Sequence, residues 1–103
     1  MTDFDELHRA YRIAKAAFDS HSAFDYAPKD EPEGYQDELN RLSSITTRAM
    51  DALLMCPVGT QRELAEKLDI IVREEIYDGW HLCDEIFAIL RIDGHRVLDR
   101  RRA

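Results

Sequence analysis

The stretch CPVGTQRE, residues 56–63, constrains the fold of this chain more than any other. Pro57 and Gly59 stop a preceding helix, because proline lacks the N–H that a helix interior needs and glycine loses the most backbone freedom on folding. Thr60 and Glu63 then stand at Thr-x-x-Glu spacing, in which each side chain can accept a backbone N–H that a helix start leaves unpaired. One helix must end near Met55 and another begin at Thr60, so the apolar pattern on either side belongs to separate helices.

At 100° per residue the apolar positions sort into four helical stripes. Phe4, Leu7, Tyr11, Ala14 and Phe18 share a face of a first helix near residues 3–23, with Thr2 or Asp3 as its cap. DYAPKDEPEG, residues 25–34, holds two prolines, a glycine and four acids against one lysine, and reads as an exposed acidic loop. Leu39, Leu42, Ile45, Ala49 and Leu53 mark a second helix near 35–55; Leu64, Ala65, Leu68, Ile71, Val72 and Ile76 mark a third near 60–77. Two residues of the third helix break its pattern. Ile70 projects to the side opposite Leu68, either as a lone exposed isoleucine or as part of a partner surface, whereas Glu75 falls within the apolar stripe. If Glu75 is buried it needs a cationic or backbone donor; otherwise it sits where the helix end peels away from the core.

The last segment admits two readings. AILRI and HRVLD flank Asp93-Gly94, a pair suited to a tight hairpin turn. On a helix near 80–99, however, Trp80, Cys83, Phe87, Leu90, Gly94, Val97 and Leu98 stay on one side, and the helix is the preferred reading. Leu82, Ile86 and Ile89 widen its apolar arc, so the helix is either central or has a far edge that meets another molecule. Together with Ile70 they form the expected partner interface, and a homodimer built on it would be isologous. The expected fold is an all-α, four-helix bundle-like single domain over residues 1–103.

Charge is unevenly spread. Residues 1–90 hold 19 acids and nine bases, a formal −10, while residues 91–103 hold five arginines against two aspartates, a formal +3. An acidic body disfavours general binding to phosphate backbones; the basic tip at 100–103, carried by Arg100, Arg101 and Arg102, is a candidate electrostatic surface. No apolar run is long enough to span a membrane and no signal peptide is apparent, so the expectation is a cytoplasmic protein with reduced thiols at Cys56 and Cys83.

Chemistry finds little purchase. In WHLCDE, His81 and Cys83 are two residues apart and point in different directions on a helix, so they do not share one metal ion. The four glycines are isolated and form no phosphate loop. No catalytic, cofactor or metal residues are assigned, and the chain is expected not to be an enzyme.

TQRELAEKLDII, residues 60–71, resembles the first helix of many bacterial repressors. A helix-turn-helix would want a small residue four after Ala65, where Asp69 stands, and apolar residues at the positions of Glu75 and Asp78. A single continuous helix through LDIIVREEI needs fewer exceptions. The longer run AMDALLMCPVGTQRELAEKLDII resembles a recurrent pattern of small uncharacterised helical proteins from alphaproteobacterial chromosomes and prophages. That resemblance implies an all-α bundle in a cytoplasmic or phage setting and assigns no site residues. The expected role is a non-catalytic protein–protein interaction module, a regulator or adaptor whose partner is another protein or its own copy. The alternatives are a DNA-binding regulator with a degenerate helix-turn-helix and an acidic phage-borne inhibitor of a nucleic-acid-binding protein.

Overall fold

The computed structural model describes residues 2–24 and 26–102, with the side chains of Pro28 and of residues 100–102 outside the description. Its elements are α1 (Asp3–Ser22), a 3-10 turn (Pro28–Asp30), α2 (Tyr35–Met55), α3 (Gln61–Arg73) and α4 (Cys83–Arg102), with no strand among the described residues. The fold is all-α with four helices, and backbone contacts divide it into two compact units, Met1–Leu53 and Leu54–Ala103.

In the first unit α1 starts on a reciprocal cap. The Thr2 hydroxyl accepts the Asp5 N–H at 3.2 Å, and the Asp5 carboxylate accepts the Thr2 N–H at 3.3 Å. Phe4 and Tyr11, two turns apart, are the buried residues of α1, with Leu7, Ala14 and Phe18 half-buried on the same stripe. Thr46 of α2 places its hydroxyl 3.2 Å from Ala14 O and 2.8 Å from Leu42 O, while His21 meets Tyr35 at the other end. The pairs 14/46 and 21/35 run in opposite senses, so α1 and α2 are antiparallel. A turn leads into α2: Tyr35 N–H donates to Pro32 O at 3.1 Å, and Gly34 takes the positive φ of +80° that such a turn demands.

In the second unit Thr60 caps α3 by accepting the Glu63 N–H at 3.2 Å, as the spacing predicts. The helix ends earlier than periodicity alone suggests. Ile76 N–H donates to Ile71 O at 3.0 Å and Glu75 N–H to Val72 O at 3.2 Å, the paired bonds of a Schellman cap. Glu75 occupies the left-handed position, φ +52°, where glycine is the usual residue. Glu75 is therefore exposed, and Ile76 is buried because the cap folds it back beside Ile71, not because the helix continues to it. After the turn through Gly79, α4 runs unbroken across Asp93 and Gly94, which removes the hairpin alternative.

The buried faces of α3 and α4 are where expectation and structure part. On α3 the interior residues are Glu63, Lys67, Ile70 and Ile71, and on α4 they are Ile86, Asp93 and Val97. Relative to the purely apolar stripe, the buried arc of α3 is rotated by about 100°, one residue's turn. The cause is a pair of opposite charges, Lys67 and Asp93, that occupy core positions on facing helices.

Candidate functional site

Lys67 and Asp93 are both 0% exposed, with Nζ 2.5 Å from Oδ2. Lys67 also donates to Cys56 O at 2.7 Å, and Asp93 Oδ1 accepts the Val58 N–H at 2.9 Å. Arg96 donates to Val58 O at 3.3 Å from the rim. The network binds loop 56–59 to α3 and α4, and among the described residues no buried side-chain polar atom lacks a partner. A satisfied buried pair of this kind fixes register more than it adds net stability. With Lys67 and Asp93 inside, the opposite edges of α3 and α4 face outward.

Those outward edges form an open apolar groove of about 400 Å³, lined on α3 by Gln61, Leu64, Ala65 and Leu68 and on α4 by Gly94, Val97 and Leu98. Leu68 is 42% and Leu98 51% exposed. A Cβ built on Gly94 meets nothing within 4 Å, so the groove floor is open at that point. Along α4 the outward stripe reads Asp84, Phe87, Arg91, Gly94 and Leu98, spaced alternately by three and four residues.

The expected partner interface is corrected accordingly. Ile70 is 1% exposed and Ile86 0%, so both belong to the interior, whereas Leu82 and Ile89 are half-buried and keep part of their surface exposed. The physical reason is phase: with Asp93 inside, the edge of α4 bearing Ile86 turns inward and the edge bearing Phe87 and Leu98 turns outward. The side chains of Arg100, Arg101 and Arg102 lie outside the described residues. Sequence reasoning missed Lys67 and Asp93. The available signal was a single charge at core spacing on each helix, Lys67 three and four residues before Ile70 and Ile71, Asp93 seven after Ile86 and four before Val97.

The first unit holds a second concavity, about 360 Å³, lined by His21, Phe24, Tyr26, Tyr35, Glu33 and Glu38 among others. His21 and Tyr35 stack at 4.5 Å between ring centroids, and Tyr26 meets Tyr35 edge-on at 5.2 Å. The Tyr35 hydroxyl donates to Phe24 O at 2.9 Å. His21 Nε2 lies 3.1 Å from Tyr35 O and, since a carbonyl only accepts, donates to it. Arg41 grips Glu38 through two bonds, 2.8 and 2.5 Å, which hold its carboxyl below the usual carboxylate range against a smaller opposing effect of desolvation. The same contact raises Arg41.

Among the described residues no three His, Cys, Asp or Glu side chains gather closely enough to hold a metal ion, and no helix is long and apolar enough to cross a membrane. Cys56 and Cys83 are half-buried and form no disulfide. α3 continues to Arg73 and the next helix begins only at Cys83, so the short turn and second helix that a DNA reader would place soon after Leu68 are not there. The chain matches no protein-family model, no curated protein and no solved structure.

Proposed function

We propose that this chain is a non-catalytic protein–protein interaction module, a small regulator or adaptor, that first recognises its own copy through the outward face of α3 and α4. The observation that carries the reading is the self-complementary stripe on α4. Laid antiparallel against a second α4 and centred between Ile92 and Asp93, Phe87 meets Leu98 and Arg91 crosses Gly94, and the sequence register sets position 84, an aspartate, opposite position 101, an arginine. Opposite charges then close both ends, two apolar pairs flank the centre, and the missing side chain of Gly94 leaves room for the arginine stem. A surface that complements itself under a two-fold rotation is what an isologous dimer requires, and the terminal charges would set its antiparallel orientation. Leu64, Ala65 and Leu68 extend the apolar area beside that stripe.

The test is solution mass by light scattering across a concentration series. The wild type is expected to reach the mass of a dimer. Leu98→Glu, at a residue already half exposed, is expected to stay monomeric with an unchanged far-ultraviolet circular dichroism spectrum. Asp84→Arg should weaken pairing, and adding Arg101→Asp should restore it. A wild-type monomer throughout the series, or a dimer indifferent to Leu98→Glu, would overturn the reading.

A further inference from the structure

The aromatic concavity of the first unit lies outside α3 and α4, and its chemistry is different. Its walls are the rings of His21, Phe24, Tyr26 and Tyr35, and Phe24 and Tyr26 stand 60% and 37% exposed although both could cover apolar surface. Tyr26 and Tyr35 have an interplanar angle of 79°, so two walls present ring surface in nearly perpendicular directions. Glu33 and Glu38 complete the lining. Gly34, also in the lining, leaves open space where a side chain would stand.

The field around this pocket is negative. Residues 25–38 carry six acids against Lys29 alone. The N-terminus of α2 opposes that field with about half a positive charge. Arg41 offsets part of it too, but its guanidinium sits on Glu38 and is not among the lining residues. An anion is therefore disfavoured, and a purely apolar ligand would leave the carboxylates unused. A cation with an aliphatic body uses both, because ring faces attract positive charge through their quadrupoles while the alkyl groups cover apolar surface.

We propose that this pocket binds an organic ammonium ion bearing alkyl groups, either a free small amine or the side chain of a lysine in a basic segment. Tyr26 and Tyr35 supply the ring faces, Phe24 the apolar wall, and Glu33 and Glu38 the long-range attraction. His21 positions Tyr35 by stacking on it and by its bond to the Tyr35 carbonyl.

The experiment is a nuclear magnetic resonance titration of the full chain, following the ring protons of His21, Tyr26 and Tyr35. The probes are choline, its uncharged isostere with a tert-butyl group in place of trimethylammonium, a blocked lysine amide and a short lysine-rich peptide. Choline or the lysine probes should shift these signals saturably while the isostere does not. Tighter binding of choline would identify a free amine, and tighter binding of the peptide a polypeptide side chain. Tyr26→Leu, in the loop and outside both helices, should weaken the best cation by roughly twofold to fivefold, the scale of one exposed cation–π contact. Arg41→Gln should strengthen it by removing a competing positive charge. Equal shifts from the isostere, no saturable shift from any cation, or full binding by Tyr26→Leu would each overturn the proposal. None of these outcomes depends on whether α4 pairs with a second copy.

Discussion

Each unit of this protein carries a short ion pair, and the two are different objects. Arg41 and Glu38 approach to 2.5 Å on the surface of α2, with side chains 59% and 40% exposed. Lys67 and Asp93 approach to the same 2.5 Å with both side chains fully buried. Distance does not distinguish them; water does. At the surface, solvent screens the attraction and would solvate either partner left alone. In the interior neither charge has that refuge: without Asp93 the Lys67 ammonium keeps only a carbonyl, and without Lys67 the Asp93 carboxylate keeps only the Val58 N–H and the half-exposed Arg96, 4.0 Å away. The exposed pair decorates a helix, while the buried pair determines how two helices face each other.

Lys67→Met should destabilise the second unit by about 3–5 kcal/mol, the usual cost of stranding a buried charge, measured by urea unfolding. Adding Asp93→Asn should recover part of that loss, since it removes the stranded charge and keeps an oxygen for the Val58 N–H. A single-variant loss below about 1 kcal/mol would place the buried pair with surface pairs and end the contrast.

A smaller effect of opposite sign is expected at the end of α3. Glu75 pays for a left-handed backbone that glycine adopts freely, so Glu75→Gly should raise stability by about 0.4–1 kcal/mol where the Schellman cap is as described. No gain in the urea midpoint would mean that the Glu75 side chain contributes as much as its conformation costs.

The smallest effect belongs to the exposed pair. Because the carboxyl of Glu38 is lowered in the folded chain, its contribution is fully present above the ordinary carboxylate range and is lost as pH falls through its own lower value. Arg41→Gln should move the Glu38 titration, followed by carboxyl-carbon resonance, upward toward that ordinary range. The unfolding midpoint near neutrality should barely change. A large stability loss in this variant would show that exposure alone does not make a pair dispensable.

These same differences explain what was legible in the sequence. The first unit follows apolar spacing and local punctuation: α1 ends at Ser22 against an expected 23, and α2 spans Tyr35–Met55 as expected, because Thr2, Pro32 and Gly34 act through neighbours a few residues away. The start of α3 at its Thr60 cap and the helical state of α4 were legible for the same reason. The facing of α3 and α4 was not, because a purely apolar count treats Lys67 and Asp93 as solvent-facing. The two charges are 26 residues apart and neutralise each other only after the helices pack. An apolar count consequently puts Ile70 and Ile86 on an outer edge and the groove around Leu68, Gly94 and Leu98 in the core, the reverse of their burial. The end of α3 was missed because Glu75 holds a position whose usual residue is glycine.

The bond from Val58 to Asp93 has a consequence for how the second unit opens. Backbone amides in loops ordinarily trade their protons for solvent deuterium after small local openings. The Val58 amide, although in a loop, is bonded to a fully buried carboxylate contributed from 35 residues away. Its proton can leave only when that carboxylate is uncovered, and uncovering it parts Asp93 from Lys67. In deuterated water, the Val58 amide should therefore exchange at the slow rate of helix-interior amides in α3 and α4, and one loop position would report the cooperative opening of the whole unit.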